Sequence, residues 1–408
     1  MRSFCLVIFI VICCNLYGQS PFTIYNTDNS DIPSNLVHVI FIDADQNKWI
    51  GTENGLVKID TDNNWTIYNK DNSGLPENDI RAIFNDTEDS ILYVGTYLHG
   101  FVKYDTDWTI FDPANSPIPD YHIRTITKDL NDTIWIGSPS GFTKWDKQDF
   151  WFTYTPDNSA LLSANIPDIY VGENNVKYIG TINGGVSTYD NGIMNTYKTT
   201  NSLISDNTVL GIDEDIYHNI WLATSFGGLS ILTPDTTFLK FTPTTSDIVD
   251  WSLNGLVIDD NNIAAIAMTS KGLEIFDNIN WTLFDETNSD LPDNFLNCVA
   301  TDADNKIWIG TETQGLVVLD RQLIEAINEE NSFPLIIYPN PATDHIILSG
   351  EIAGSELTIF NMEGKLISGK KLFANTEFLD LQKFTPGNYI IKIITSDGTA
   401  VKRISVIH

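Results

Sequence analysis

The stretch Trp49-Ile50-Gly51-Thr52 is one copy of a pattern that recurs along the chain and decides its fold. Seven copies of about 43 residues each lie between residues 19 and 320. The other six cores are Tyr93-Val94-Gly95-Thr96, Trp135-Ile136-Gly137-Ser138, Tyr178-Ile179-Gly180-Thr181, Trp221-Leu222-Ala223-Thr224, Ile266-Ala267-Met268-Thr269 and Trp308-Ile309-Gly310-Thr311. With this assignment, the positions of the glycine are 44, 42, 43, 43, 45 and 42 residues apart. Such regularity predicts a repeat architecture.

Each copy contains four short apolar runs separated by Asp, Asn and Gly. In the first copy they are Leu36 to Ile42, Lys48 to Gly51, Gly55 to Ile59 and Trp65 to Tyr68. Short runs rich in Val, Ile, Trp, Tyr and Thr between turn residues predict strands. Four strands in about 40 to 45 residues are typical of a propeller blade.

The two ends of the repeat region predict how the ring closes. The seventh copy lacks its fourth strand, and Phe22-Thr23-Ile24-Tyr25 matches the missing piece. We therefore predict an all-β, seven-bladed β-propeller over residues 19–320, in which strand 22–25 completes the last blade. Closure removes the open sheet edge. An open solenoid would need terminal caps, which the sequence lacks.

Recurring glycines and aromatics have packing explanations. The glycine of each core lets neighbouring blades approach, and the aromatic before it fills the wedge between blades. A second glycine follows a tight turn and is expected to have φ above zero. These second glycines are Gly55, Gly100, Gly141, Gly185, Gly228, Gly272 and Gly315.

Composition indicates an exported protein. The chain has 23 basic and 54 acidic residues, a formal net charge of −31, which argues against nucleic acid and anionic membranes as partners. Residues 1–18 are predicted to be a signal peptide, and no other segment is apolar enough to span a membrane. After its removal Cys298 is the remaining cysteine, so no internal disulfide is expected.

Residues 333–408 differ from the repeats in charge and in sequence pattern. They hold seven basic and seven acidic residues, so the acidic surplus belongs to the repeats and to a predicted linker at 321–332. About seven short alternating runs in this segment predict a small Ig-like β-sandwich.

This segment resembles the type A sorting domain of the type IX secretion system of Bacteroidetes. The resemblance lies in Tyr338-Pro339-Asn340-Pro341, Phe360-Asn361 with Gly364-Lys365, Pro386-Gly387-Asn388-Tyr389 and Lys402-Arg403-Ile404-Ser405-Val406. It implies export across the outer membrane by the type IX machinery through residues 333–408. In that family the domain is usually cleaved, and the cargo is released or attached to the cell surface.

The repeats resemble the two-component regulator propeller family, in which aromatic-Ile-Gly-Thr-x-x-Gly-Leu alternates with Asn-Ser-Gly-Leu-Pro-x-Asn. The best matches to the second motif are residues 72–78 and 288–294. Many relatives are periplasmic sensors of hybrid histidine kinases, but this chain has no kinase or response-regulator segment. The resemblance implies the fold and a ligand-binding role.

Signals for catalysis and for metal binding are weak. The sequence contains no His-Glu-x-x-His, Gly-x-Ser-x-Gly or Cys-x-x-Cys motif. His38 and His99 could approach the central channel. Three turns, Asp43-Ala44-Asp45, Asp213-Glu214-Asp215 and Asp302-Ala303-Asp304, resemble the start of a calcium loop but lack its central Gly and final Glu. Hairpin turns account for them, and calcium is the alternative.

Strand alternation predicts a rim around the channel mouth, formed by the Thr-x-x-Gly loops and the Asn-Ser-x-Leu-Pro loops. Packing of the repeat does not require certain residues there, which makes them candidate ligand contacts: Tyr97, His99, Phe226 and Trp251. Arg81 and Arg124 occupy equivalent positions in copies two and three and could hold an anionic group. Salt bridges to nearby carboxylates are the alternative.

We therefore expect a secreted or cell-surface, non-catalytic propeller that binds a glycan or a protein, without a cofactor and as a monomer. One alternative is a lyase-like propeller enzyme acting on extracellular polysaccharide. Another is a purely structural or adhesion module.

Overall fold

The structure is a computed structural model that describes residues 20–277, 280–323, 335–338, 342–361, 365–385, 387–395 and 398–406. The predicted signal peptide at 1–18, most of the predicted linker and residues 339–341 of the sorting-domain motif lie outside this part of the chain.

Seven antiparallel four-stranded sheets follow one another along the chain. Blade 1 contains β2 Val37–Ile42, β3 Lys48–Thr52, β4 Gly55–Ile59 and β5 Trp65–Tyr68, and blade 2 contains β6 Ile80–Asp86, β7 Ile91–Thr96, β8 Phe101–Tyr104 and β9 Trp108–Phe111. Blade 3 contains β10 Thr125–Lys128, β11 Ile134–Ser138, β12 Gly141–Trp145 and β13 Trp151–Tyr154, and blade 4 contains β14 Asp168–Val171, β15 Lys177–Gly180, β16 Val186–Asp190 and β17 Ile193–Tyr197.

Blade 5 contains β18 Val209–Glu214, β19 Ile220–Thr224, β20 Leu229–Leu232 and β21 Phe238–Phe241, and blade 6 contains β22 Leu253–Ile258, β23 Ala264–Met268, β24 Leu273–Phe276 and β25 Trp281–Phe284. Blade 7 contains β26 Leu296–Thr301, β27 Ile307–Thr311 and β28 Leu316–Leu319 together with β1 Phe22–Tyr25. The first strand of each blade contacts the first strand of the next, and β26 contacts β2. The seven-bladed propeller predicted from the sequence is confirmed.

The ring is closed by the N-terminal strand. β1 pairs antiparallel with β28, with Phe22 opposite Leu319 and Tyr25 opposite Leu316. The strands are short and rich in apolar residues, and each blade packs both of its faces against neighbouring blades. Hydrophobic clusters accordingly lie between neighbouring blades. The core is therefore a ring of inter-blade layers around the channel.

The assignment of the sixth copy was wrong by one residue. Ala267 pairs with Gly255, just as Gly51 pairs with Val39 in blade 1, so Ala267 takes the place of the glycine instead of Met268. The spacings on either side become 267 − 223 = 44 and 310 − 267 = 43. The error arose because Ala265 stands where the other blades have Trp or Tyr, which removed the aromatic marker.

The glycines behave as predicted. A Cβ on Gly51 would lie 2.6 Å from Val39 Cγ1 and 2.9 Å from Ile80 Cγ2 of the next blade. All seven second glycines have positive φ, for example +77° at Gly100, where a Cβ would also meet the Phe111 carbonyl oxygen. Larger residues at either position would push neighbouring strands apart.

In blades 1, 3, 5 and 7 the buried tryptophan of β3, β11, β19 or β27 donates its indole N–H to an aspartate in the turn before that strand. The donor–acceptor pairs, each 2.8 to 3.0 Å apart, are Trp49–Asp43, Trp135–Asp129, Trp221–Asp215 and Trp308–Asp302. Backbone N–H groups of the same turns donate to these carboxylates as well. The aspartates are therefore structural parts of the turns.

Blades 2, 4 and 6 lack this pair. In blade 2, Tyr93 replaces Trp, its buried hydroxyl has no hydrogen-bond partner among the described residues, and Asp86 instead binds Lys128 and Lys147. In blade 6, Asp259 binds Arg321. Blade 4 has Gly172 and Tyr178 at the two positions.

Two aspartates of the inner strands link neighbouring blades. Asp168 Oδ2 accepts a hydrogen bond from Ile212 N at 2.9 Å, and Asp213 Oδ2 accepts one from Ile258 N at 2.7 Å. No ion pair involving either carboxylate occurs within the described ranges. Burial raises the pKa of Asp168 to about 6 and that of Asp213 to about 7.

The C-terminal segment forms two packed sheets, as predicted for a β-sandwich. The strands are β29 Leu335–Tyr338, β30 His345–Gly350, β31 Glu356–Asn361, β32 Leu366–Lys371, β33 Thr376–Asp380, β34 Gly387–Thr395 and β35 Gly398–Val406. The sheet orders are β29-β30-β33 and β32-β31-β34-β35. One apolar cluster lies between the sheets and includes Ile346, Leu357 and Ile391.

Candidate binding site at the channel mouth

The same position near the start of the inner strand in every blade lines one cavity. The cavity has a volume of about 370 Å³. Its lining consists of His38, Arg81, Arg124, Pro167, Leu210, Asn254 and Asn297, one from each blade, together with His122. Arg81 and Arg124, which the sequence predicts to occupy equivalent positions, thus both line this cavity.

A local irregularity of the inner strands presents these residues. In blades 1, 2, 5, 6 and 7 the pairing register skips one residue, for example between Val37 and Val39, which leaves His38 unpaired. A β-bulge of this kind turns a side chain away from the regular alternation. The sequence alone gives no reason for a bulge at this position.

Arg81 is neutralised by a neighbouring aspartate. Its Nε and NH2 groups donate to the two carboxylate oxygens of Asp79 at 2.6 and 2.9 Å. Burial would raise the pKa of Asp79, but the contacts with His38 and Arg81 outweigh it and lower this pKa to about 2. For Arg81 the salt-bridge alternative therefore applies.

Arg124 differs from Arg81. Within the described residues no carboxylate lies within ion-pair distance of its guanidinium. Burial, and then the charge of Arg81, lower its pKa. Burial and the same two arginines also lower the pKa of His122 to about 4, so this imidazole is neutral at pH 7. The blade 2–3 side of the cavity thus carries one guanidinium that contacts no carboxylate among the described residues, and the charge of Asp120 acts on it only from a greater distance.

The loops predicted to form the rim lie next to one another in space. Tyr97 N donates to Asp79 O and Gly228 N donates to Trp251 O, so the two predicted sets of loops lie together. The side chains of Phe226, Trp251 and Tyr97 are 73%, 42% and 39% exposed, which shows that none is buried between blades. Tyr97 contacts Arg81 by a cation–π interaction, with 4.8 Å from the guanidinium carbon to the ring centroid.

The aromatic candidates do not form one groove. Tyr97 belongs to blade 2, whereas Phe226 belongs to blade 5 and Trp251 to the loop that follows it. Tyr97 and Arg81 therefore form one contact region with the ring of His122, whose centroid is 4.7 Å from that of Tyr97. Phe226 and Trp251 form a second region on another part of the rim.

The two candidate histidines each have a carboxylate neighbour but belong to different parts of the site. His38 Nε2 lies 3.4 Å from Asp79 Oδ1 inside the cavity. His99 Nδ1 lies 3.3 Å from Glu77 Oε1, and its side chain is exposed on the rim. Acid–base catalysis needs both groups within reach of one substrate.

Candidate cation sites at the opposite end of the blades are engaged by the protein itself. Asp86, Asp89 and Asp132 approach one another, but Lys147 Nζ binds all three carboxylates. The aspartates of the three aspartate-rich turns accept hydrogen bonds from indole and backbone donors, and calcium stays the alternative for these turns.

Sequence reasoning missed His122, Asp79, Asn254 and Asn297. Asn254 and Asn297 could have been found by aligning the seven repeats with one another. Each follows the apolar residue that begins the inner strand of its repeat. His122 and Asp79 lie just before those strands, in loops of variable sequence, and nothing in the sequence marks them.

Known family models match one segment of the propeller and most of the C-terminal sandwich. Residues 336–407 match the secretion system C-terminal sorting domain, and residues 290–313 match the two component regulator propeller. None of the curated proteins matches the sequence.

Solved structures show the same fold at low identity. PorZ of Porphyromonas gingivalis, described as an essential surface component of the type-IX secretion system, is 17% identical, with a TM-score of 0.58 over 92% of this chain and 60% of PorZ. The extracellular domain of BT4673 of B. thetaiotaomicron, a protein described as a hybrid two component system, is 18% identical, with a TM-score of 0.60 over 82% of this chain and 46% of that one. Virginiamycin B lyase of Staphylococcus aureus is 14% identical, with a TM-score of 0.58 over 73% of this chain and 98% of the lyase.

This chain therefore spans only 60% and 46% of the first two proteins, and the likeness concerns the fold. The sorting domain implies secretion to the cell surface or the extracellular space. In the described part of the chain, no helix combines the length and apolarity that a membrane crossing requires. The chain is an exported seven-bladed β-propeller in which residues 290–313 match the two component regulator propeller, followed by a segment, residues 336–407, that matches the secretion system C-terminal sorting domain.

Proposed function

We propose that the exported propeller binds an extracellular glycan or protein at the mouth of its channel, without catalysing a reaction on it. The observation that carries this proposal is the exposure of Phe226 and Trp251 on the rim. Large aromatic side chains that packing does not use are enriched where proteins bind partners.

The loops that hold these two rings are fixed by hydrogen bonds. Gly227 N donates to Thr224 Oγ1 at 3.1 Å, and Ser252 Oγ donates to Ser225 O at 2.7 Å. Gly228 N donates to Trp251 O at 2.8 Å. A loop that is already ordered loses little conformational entropy when a ligand binds.

Binding of the full chain to a glycan array and to a peptide array tests the proposal. Phe226→Ala and Trp251→Ala are each expected to weaken binding of the identified ligand by roughly tenfold or more. The matched control is Phe150→Ala, because Phe150 is 51% exposed but lies in the turn between β12 and β13, at the opposite end of the blade.

Retention of full affinity by both rim variants would contradict the proposal. Absence of binding on either array would favour the structural or adhesion module instead. Chemical conversion of an arrayed glycan, detected by mass spectrometry, would favour the lyase-like alternative.

A further inference from the structure

We propose that the channel cavity binds the carboxylate of an acidic sugar and that Arg124 is the residue that contacts it. The inference rests on the proposed function in one respect, because a glycan held at the rim would deliver the sugar to the cavity. It adds the chemical class of the ligand and the residues that recognise it.

The first argument is charge. The protein has a formal net charge of −31, yet the half-buried Arg124 has no ion pair in the described ranges. Arg81, 43 residues earlier in the equivalent position, is held by Asp79 at 2.6 Å. Asp120 offsets the charge of Arg124 only from beyond contact distance. A partly desolvated cation without a carboxylate in contact is unfavourable, and a bound anion would supply that contact. Guanidinium groups suit carboxylates because they donate two parallel hydrogen bonds.

The second argument is a buried polar atom. The side chain of His38 is only 9% exposed, and its Nε2 atom has no hydrogen-bond partner among the described residues. The 3.4 Å approach to Asp79 lacks the alignment of a hydrogen bond. Because His38 lines the same cavity as Arg124, a polar ligand there could satisfy it.

The third argument is the chemistry of the other residues that line the cavity. Asn297 Nδ2 donates to Val37 O and to Glu312 Oε2, both at 3.0 Å, which fixes the amide and leaves Oδ1 as an acceptor. Sugar hydroxyl groups are suitable donors to such an oxygen. Pro167 and Leu210 add an apolar part to the wall. The cavity of about 370 Å³ is at the lower end of the range for small-molecule sites.

The charge balance favours a single negative charge over two. Asp79 neutralises Arg81, and the lowered pKa of His122 leaves that imidazole uncharged at pH 7. A phosphate dianion would bring a second negative charge close to Asp79, which is unfavourable in a partly buried site. The cavity therefore fits a carboxylate better than a phosphate.

Calorimetric titration of the full chain tests the proposal, with glucuronate as the probe, glucose as its neutral counterpart, and acetate and inorganic phosphate as competitors. Glucuronate is expected to bind at least roughly tenfold more tightly than any of the other three. Arg124→Gln is expected to weaken glucuronate binding by roughly tenfold to a hundredfold, and Arg124→Lys by less, because lysine keeps the charge but loses the planar fork.

The matched control is Lys240→Gln, which removes one positive charge from an exposed position on β21. It is expected to leave the affinity for glucuronate unchanged. Thermal unfolding checks the fold of Arg124→Gln, whose midpoint is expected to equal or exceed that of the unmodified chain, since an unpaired charge is removed.

Absence of glucuronate binding at millimolar concentration, or unchanged binding by Arg124→Gln, would overturn the inference. Equal binding of acetate or phosphate, or a preference for the terminal carboxylate of a short peptide, would overturn the assignment to a sugar. Rim binding on the arrays without glucuronate binding would remove this inference alone, whereas glucuronate binding without rim binding would remove only the proposed function.

Discussion

The odd-numbered and even-numbered blades solve the same packing problem in different ways. In blades 1, 3, 5 and 7 a tryptophan donates to the aspartate of its own turn. Neighbouring blades add further donors to some of these aspartates, such as Asn85 to Asp43 and Lys177 to Asp129. In blades 2 and 6 the aspartate remains, but a lysine or arginine from elsewhere in the chain takes the place of the indole. The constant requirement is a donor for the buried carboxylate, not the aromatic ring.

This difference has a consequence for how each blade depends on its neighbours. Lys128 belongs to blade 3 but binds Asp86 of blade 2, and Arg321 follows blade 7 but binds Asp259 of blade 6. In blades 2 and 6 the charged donors to the turn aspartate therefore come from outside the blade, whereas the odd-numbered blades have an indole donor of their own. Substitutions in the two kinds of blade should have different effects.

The largest effect is expected from Trp221→Ala in blade 5. The substitution empties a buried site and removes a donor from Asp215, so we expect a loss of about 5 kcal/mol in the free energy of unfolding. Urea unfolding measures it. The counterpart in blade 2, Tyr93→Phe, removes only an unsatisfied hydroxyl and should be neutral or stabilising by up to about 1 kcal/mol. Equal losses in both variants would contradict the comparison.

A smaller loss, about 3 kcal/mol, is expected from Arg321→Met, because the buried Asp259 would lose its counter-charge but keep two backbone donors, Asn261 N and Ile263 N. Adding Asp259→Asn to this variant removes the uncompensated charge and should restore much of the stability. Unfolding in urea of the single and double variants gives both values. A double variant no more stable than the single one would show that the ion pair is not the cause.

The smallest effect concerns the inner-strand aspartates Asp168 and Asp213, for which no ion pair occurs among the described residues. Because burial raises the pKa of Asp213 to about 7, its protonated form is favoured in the folded state. Its contribution to stability is complete below pH 3.8 and is lost as the pH rises through about 7. Asp213→Asn should therefore flatten the decline in stability between about pH 4 and pH 7.

Thermal unfolding of both proteins across this range checks the prediction. Other groups titrate in the same window: the pKa of Asp168 is raised to about 6, that of Glu274 to about 7, and that of His122 is lowered to about 4. The difference between the unmodified chain and the variant removes the contributions of Glu274 and His122 and leaves Asp213 together with its charge coupling to Asp168. A pH profile that does not change on substitution would contradict the assigned shift.

Much of the fold could be predicted from the sequence because the turns repeat. The second glycine of every copy needs positive φ, and the aromatic residue marks the buried strand, so period and strand order follow. The one failure, a shift of one residue in blade 6, occurred where Ala265 replaces the aromatic. Arg321, which compensates for that loss, is 62 residues away from Asp259 in the chain, and pattern reasoning does not connect such positions.

The candidate site could be predicted only in part. The rim residues Phe226 and Trp251 were found because they depart from the repeat, and the structure exposes both. The difference between Arg81 and Arg124 could not be predicted, because it depends on the contact of Asp79 with Arg81, two residues away, and on the lack of such a contact at Arg124 among the described residues. The bulge that turns Arg81 into the channel likewise follows from three-dimensional packing.

The pairing of β1 with β28 makes the integrity of the ring sensitive to a single peptide bond. All four residues of β28 are buried, whereas no residue of the outermost strands β5, β9 and β13 is fully buried. Proteolysis between Tyr25 and Val37 followed by loss of β1 would uncover an apolar edge that another molecule could cover with its own first strand. Exchange of this one segment would then convert separate rings into linked chains of propellers.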